Sequence, residues 1–381
     1  MNLLPRRALA ALLLCCAACS DAVTAPTTDA SPPVDASRDV SATDASADAP
    51  PPSDATMPAD VSAPLDAPTD APLDAPADAA SSLAFSRAVR VIVEPSDRGA
   101  ALVAAIRGAQ RSVHMTMYLL SAREVIAALT DARARGVEVQ VVLNRAIPGG
   151  AMPNEGVFAT LTAAGVSVRW SSSRFSFTHE KCVVLDGAEA WIMTMNTTGA
   201  GLDGNREFLA IDRDPDDVRD AESVFRADFV DAPFPSYAGR LVLSPINAQA
   251  RLVALVRTAT RTIDLESESL EDRTTAAALI ERARAGVRVR AVISDTPPTA
   301  SSMRTLADLT AAGVTVRVLA TPYMHAKAIV VDGARAYVGS ANVTYVSLTG
   351  NRELGVLFDD PAEVRRVGDT LAADVTASAP F

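Results

Sequence analysis

From Phe85 onward, short runs rich in β-branched residues alternate with Ala-, Leu- and Arg-rich stretches of helical length. That alternation predicts βαβ units and a largely parallel sheet. Strands are expected at Val89 to Val93, Val113 to Leu119 and Val137 to Leu143, with helices over Ala100 to Ala109 and Glu124 to Arg135 between them. The same order then returns, with strands at Arg240 to Leu243, Ile263 to Glu268 and Val287 to Ile293 and helices over Ala250 to Ala259 and Thr274 to Ala285. Landmarks hold a nearly constant spacing: Pro95 and Pro245 lie 150 apart, as do Gly136 and Gly286, and Gly165 and Gly313 lie 148 apart. A period this long marks two duplicated α/β lobes, placed at residues 85–236 and 237–381, and excludes a solenoid of short repeats.

Ahead of the lobes the texture changes. Arg6 and Arg7 precede an apolar run from Ala8 to Ala18, too short to cross a bilayer but suited to a secretory signal. Ala17-Ala18-Cys19 resembles the end of a bacterial lipobox, although Cys16 stands where an aliphatic residue is usual. Residues 1–19 are therefore expected to be a lipoprotein-type signal, with Cys19 lipidated and the exported chain held at a membrane of the cell envelope. Cleavage with release is the alternative. Residues 20–84 cycle through Asp, Ala, Pro, Ser and Thr, a composition that cannot bury enough apolar surface to offset chain entropy. They are expected to form a disordered tether with a mean reach of about 40–50 Å.

Charge follows the same division. The 381 residues carry 35 Lys and Arg against 46 Asp and Glu, but the first 84 hold 12 Asp and only 3 Arg. The lobes are thus nearly neutral, which argues against a broad basic surface for nucleic acid. Three of the four cysteines lie in the first twenty residues, so Cys182 has no partner for a disulfide within the lobes.

The first lobe contains His179-Glu180-Lys181 with Asp186 five residues on, and the second contains His325-Ala326-Lys327 with Asp332 at the same distance. Ten residues past each Asp comes Asn196 or Asn342, and eleven further comes Glu207 or Glu353, each closing an Asn-Arg-Glu triplet. Every pair is 146 apart. The chain has only two lysines, and both are in these motifs, as are two of its three histidines. A chain that uses Arg nearly everywhere else but Lys here points to sites where a compact ammonium is needed.

Residues two apart on a strand share a face, so each His and its Lys point the same way. Asp-Gly at 186–187 and 332–333 signals a hairpin. A two-residue turn there sets Thr194 or Asn196 opposite His179, and Ser340 or Asn342 opposite His325. Each hairpin would then present imidazole, ammonium, hydroxyl and amide to a phosphate, with Thr194 and Ser340 as substrate contacts. Two such half-sites across a pseudo-twofold axis would suit in-line displacement in two steps, one His attacking and the other donating a proton. The lysines and asparagines would hold nonbridging oxygens. Where ammonium groups supply the positive charge, no metal or other cofactor is needed.

These residues resemble the paired H-x-K-x4-D motifs of the phospholipase D superfamily, and the resemblance covers nearly all of 85–381. It implies two tandem phospholipase D-like lobes with the site at their interface, and a monomer, since both motifs are in one chain. It further implies that His179 is the nucleophile and His325 the general acid, that Glu207 and Glu353 each orient the other lobe's imidazole, and that Asp186 and Asp332 are structural. Gly339-Ser340-Ala341-Asn342 follows the family pattern, whereas the first lobe has Met193-Thr194-Met195-Asn196. The expected substrate is a phospholipid, whose phosphatidyl group is hydrolysed or transferred. The alternatives are a nuclease of the same chemistry and a catalytically silent surface binding module.

Other features read more simply. His114 has no counterpart in the second lobe and is assigned a non-catalytic place; Cys182 reads as a small buried hydrophobe. Phe175, Phe177, Tyr323 and Met324 read either as core or as lining for acyl chains. The loops Asn144 to Gly156 and Asp295 to Met303 follow strand C-termini, where open α/β sheets place their sites, and are candidate substrate loops.

Overall fold

The structure, a computed structural model, describes residues 83–234 and 237–381. The signal at 1–19, lipidation at Cys19 and the tether up to residue 82 lie outside the described residues. In chain order the first lobe comprises β1 (Val89–Glu94), α1 (Ala100–Gly108), β2 (Ser112–Met117), α2 (Arg123–Ala134), β3 (Glu138–Leu143), α3 (Glu155–Ala163), β4 (Ser167–Trp170), β5 (Lys181–Leu185), β6 (Glu189–Met193), α4 (Gly199–Asp203), β7 (Asn205–Asp212) and α5 (Pro215–Phe229). The second comprises β8 (Val242–Ser244), α6 (Ala248–Arg257), β9 (Thr262–Ser267), α7 (Arg273–Arg284), β10 (Arg288–Ser294), α8 (Ala300–Ala311), β11 (Thr315–Leu319), β12 (Tyr323–Met324), β13 (Lys327–Val331), β14 (Arg335–Gly339), α9 (Tyr345–Thr349), β15 (Glu353–Phe358), α10 (Pro361–Ala377) and β16 (Ala379–Pro380). All ten elements expected from the pattern are present, within two residues at most of their ends.

Each lobe is built on one sheet, ordered β1-β7-β6-β5-β2-β3-β4 in the first and β16-β11-β10-β9-β13-β14-β15-β8 in the second. Within each lobe, among the described residues, the expected parallel character holds for β2-β3-β4 and β9-β10-β11 alone, where helices make the crossovers. The other pairings within each lobe are antiparallel. The reason is local: β5 and β6, like β13 and β14, are joined by a tight turn, and so short a connection can only reverse the chain.

Alternation along the hairpin strands divides the core. Val183, Leu185, Trp191 and Met193 face α1 to α3 in an outer cluster of the first lobe, and Ile329, Val331 and Tyr337 do the same under α6 to α8 of the second. Cys182, Val184, Ala190 and Ile192 turn the other way, into a shared cluster with Ala328, Val330, Ala336 and Val338. Residues of α5 and α10, among them Val224 and Val367, complete this shared core. Cys182 is therefore a buried hydrophobe, as expected, and its thiol is pushed up by burial. Leu83 and Phe85, at the start of the described chain, pack on the second lobe's core. Among the described residues no helix is long and apolar enough to cross a membrane.

Candidate active site

Both lysines open their strands at the C-terminal edge of the parallel strands. Lys181 pairs with Met117 at the end of β2, and Lys327 pairs with Ser267 at the end of β9. Just ahead of each lysine the chain crosses to the other lobe: β12 adds to the start of β7, and Thr178 bridges to Arg352 beside β15. His179 and His325 ride on these crossing segments and are nearly buried. Each ring meets a carboxylate of the opposite lobe, His179 Nδ1 to Glu353 Oε1 at 2.9 Å and His325 Nδ1 to Glu207 Oε1 at 2.6 Å. Burial pushes both carboxyls up, but the facing imidazole and lysine charges and the hydrogen bonds outweigh it, and both lie below the ordinary carboxylate value. An ionised carboxylate only accepts, so Nδ1 carries hydrogen and Nε2 is the ring nitrogen left for other contacts.

The rest of each Asn-Arg-Glu triplet supports this crossing. Asn205 donates to Glu207 at 3.4 Å, and Asn351 donates to Glu353 at 3.2 Å. Arg352 forms a fork on Asp228 of α5 at 2.8 and 3.0 Å, and Arg206 forms the same fork on Asp374 of α10 at 2.6 and 3.0 Å. Asp228 and Asp374 are themselves 146 apart. That spacing was the signal that could have identified these arginine partners from the sequence.

Several expected site residues lie off the face that carries the histidines and lysines. The turns at Asp186 and Asp332 have positive φ at two successive residues, but β5 and β6 register Leu185 with Glu189, and β13 and β14 register Val331 with Arg335. An extra residue, Ala188 or Ala334, thus enters each turn and shifts the register by one. Extending it sets Met195 across from His179, rather than Thr194 or Asn196. The Thr194 hydroxyl donates to Glu207 and accepts from the Phe208 amide at 2.9 Å; Ser340 donates to Glu353 at 2.6 Å and accepts from the Leu354 amide at 3.1 Å. Both hydroxyls therefore stand behind the carboxylates. Asp186 and Asp332 also lie away from the histidines, accepting backbone N–H bonds from residues 110–112 and 260–262 and pinning each hairpin turn to the start of the neighbouring strand.

Lys181 and Lys327 donate to the carbonyls of His179 and His325 at 2.7 and 2.5 Å. Asn342 donates to Glu268 at 3.3 Å, while Asn196 is buried with its Oδ1 lacking a hydrogen-bond partner among the described residues. Glu268 went unrecognised in the sequence. Its Oε2 lies 3.6 Å from both His325 Nε2 and Lys327 Nζ, and its Oε1 accepts from the Tyr323 hydroxyl at 2.8 Å. Burial pushes its carboxyl up, but the charges of His325 and Lys327 and the two hydrogen bonds outweigh burial and hold it at about 2. The equivalent first-lobe position, 150 residues earlier, is Tyr118, whose ring stands edge-on to His179 at 4.5 Å with Lys181 Nζ 5.1 Å from its centre.

The departure of Met193-Thr194 from Gly-Ser has a packing cause. A Cβ on Gly339 would come within 2.5 Å of the Tyr337 hydroxyl and 2.6 Å of Gly355 Cα. In the first lobe Trp191 replaces that tyrosine and bonds Glu189 at 3.0 Å, while Met193 and Leu209 fill the core. Thr194 keeps the hydroxyl. Of the residues considered for acyl contact, Met324 is in the shared core, Tyr323 serves Glu268, and Phe175 lies under the Arg352 guanidinium at 4.2 Å. His114 lies apart from the motifs, stacked on Phe225 and bonded to Glu222 at 2.9 Å. The candidate loops do reach the site's surroundings: Asn144 accepts from Thr178 N at 3.0 Å, and Thr296 meets the Tyr323 hydroxyl at 2.8 Å.

A family model described as a cardiolipin synthase, PLD-like domain matches the chain twice, over residues 102–229 and 252–375. A cardiolipin synthase of Listeria monocytogenes serotype 4a is 23% identical, with 76% of this chain and 69% of that protein covered. The major cardiolipin synthase of Bacillus subtilis is 24% identical, with 77% and 70% covered. The solved phosphatidylserine synthase of Haemophilus influenzae superposes with a TM-score of 0.59 at 10% identity, covering 78% of this chain and 88% of that one. A polyphosphate kinase from Porphyromonas gingivalis gives 0.58 at 18% identity, and there this chain spans half of the kinase's length. With both lobes matched by the family model, the chain belongs to the phospholipase D superfamily.

Proposed function

We propose that the protein cleaves or transfers the phosphatidyl group of a phospholipid through a covalent phosphohistidine. The observation that carries this is the reciprocal pairing of His179 with Glu353 and of His325 with Glu207 across the lobe boundary. His179 Nε2 attacks phosphorus while His325 gives its Nε2 proton to the departing headgroup oxygen, leaving a phosphatidyl group on His179. His325 then takes a proton from water or an acceptor alcohol, whose oxygen attacks phosphorus and releases His179. Lys181, Lys327, Asn196 and Asn342 hold the nonbridging oxygens as charge develops. The relatives named as cardiolipin synthases support a phospholipid substrate and leave water or an alcohol as the acceptor. Lipidation at Cys19 would keep the exported enzyme beside that substrate, and both lobes in one chain suit a monomer.

The test offers the purified protein phospholipid vesicles and single-stranded DNA with chelator present. Headgroup release or exchange unaffected by chelator is expected, and radiolabelled phosphatidyl group delivered from a p-nitrophenyl ester, whose leaving group needs no proton, should be trapped on His179 in a His325→Asn variant. His179→Asn should lower turnover by about 10³-fold or more and abolish labelling. Cleavage of DNA alone would favour the nuclease reading, and neither activity would favour the binding module.

A further inference from the structure

We propose that Glu268 selects the alcohol on the His325 side of the scissile ester by accepting a hydrogen bond from a hydroxyl or ammonium group carried by that alcohol. This rests on the reading above, in which a phosphodiester lies between the two histidines. His325 Nδ1 is occupied by Glu207, so Nε2 is the nitrogen that hands a proton to the leaving oxygen. That oxygen must come within about 2.7–3.2 Å of Nε2. Glu268 Oε2 is 3.6 Å from the same nitrogen, so the atoms next to the leaving oxygen pass beside it.

The two ends of the site therefore differ in chemistry. On the His179 side stands the ring of Tyr118; on the His325 side stands a carboxylate that is ionised at neutral pH. A carboxylate repels bare phosphate oxygens, and Lys327 offsets only part of that. An alcohol that brings its own donor turns the repulsion into a charge-assisted hydrogen bond. A carboxylate offers about four lone-pair sites, and among the described residues Tyr323 donates to Oε1 and Asn342 to Oε2, with His325 Nε2 and Lys327 Nζ beyond hydrogen-bond distance at 3.6 Å. Tyr323, itself bridged to Thr296 on the loop before α8, fixes the carboxylate's direction. A glycerol- or ethanolamine-type headgroup carries such a donor near the ester oxygen, and a methyl ester does not.

The experiment compares kcat/KM for short-chain phosphatidylglycerol and phosphatidylethanolamine with that for phosphatidylmethanol, in the wild type and in Glu268→Gln. A hydrogen bond to a charged group implies a wild-type preference for the donor-bearing headgroups of about 10- to 100-fold. In Glu268→Gln, whose neutral amide oxygen still accepts a weaker hydrogen bond, the ratio should fall severalfold, and in Glu268→Leu, which has no acceptor, to within about threefold of unity, whatever happens to the absolute rates, while Glu268→Asp should retain part of it. A wild-type ratio near one, or a preference that survives undiminished in Glu268→Gln and Glu268→Leu, overturns the proposal. Calorimetric titration of glycerophosphoglycerol against dimethyl phosphate reads the same ratio without turnover. A Glu268-dependent binding ratio in a protein that neither hydrolyses any of the lipids nor transfers their phosphatidyl group to an added alcohol would sink the proposed function and leave this inference standing. The same binding ratio in wild type and Glu268→Gln overturns the inference itself.

Discussion

The two half-sites share a scaffold and differ where the scaffold is indifferent. Groups that hold the imidazoles are kept on both sides: Glu207 and Glu353, Asn205 and Asn351, and the hydroxyls of Thr194 and Ser340. Positions that only fill space have drifted in concert, as with Gly339, Gly355 and Tyr337 against Met193, Leu209 and Trp191. One difference lies beside the histidines themselves, Tyr118 against Glu268. The comparison teaches that duplication preserved the hydrogen-bond wiring, let packing wander, and made the two ends of the site unlike.

The cross-lobe ion pairs give the sharpest way to break that symmetry. Arg352 is nearly buried on Asp228, whereas the Arg206 side chain keeps 16% exposure. Removing one partner of a buried pair strands the other, at a cost of about 3–5 kcal/mol. Arg352→Met should reach that range in urea denaturation, and Arg206→Met should cost less. Equal costs would erase the distinction between the pairs.

A pH effect separates the lobes next. Glu180 is buried beside Asp228, and its counterpart is Ala326. Burial first, and then the Asp228 charge, raise its carboxyl from 4.5 to about 8. A folded-state value above the unfolded one gives stability that is full below 4.5 and is lost as pH rises towards 8. Relative to wild type, Glu180→Gln should therefore gain stability across that window, by up to a few kcal/mol at about 1.4 kcal/mol per unit. Melting curves at pH 4.5, 6.5 and 8.5 check this, and a constant difference would show that Glu180 is ionised in the fold.

The smallest effect concerns the two hydroxyls. Thr194→Ala and Ser340→Ala should each lower kcat about tenfold by loosening a carboxylate, with KM little changed. A rise in KM with kcat intact would instead place that hydroxyl on the substrate.

Much of this was legible in the sequence, because constant spacing exposes duplicated function. The 146-residue offset paired His179 with His325, Lys181 with Lys327 and Glu207 with Glu353 without any knowledge of the fold. What escaped were features set by single-residue geometry. The extra residue at Ala188 moves the register by one and turns Thr194 away from the face of His179 and Lys181, to the back of Glu207. The sheets are mixed because hairpins interrupt the helical crossovers; Asp-Gly at 186–187 and 332–333 marks those hairpins, but the alternation of strands and helices that predicts a parallel sheet does not weigh them. Glu268 escaped because a search for matching residues overlooks the position where the lobes disagree.

The exchange of carboxylates across the boundary has a last consequence. Since each ring is steadied from the far side, the chain owns two copies of a motif but no spare. A lesion in either half disarms both, and a single lobe expressed by itself would inherit a histidine without its keeper.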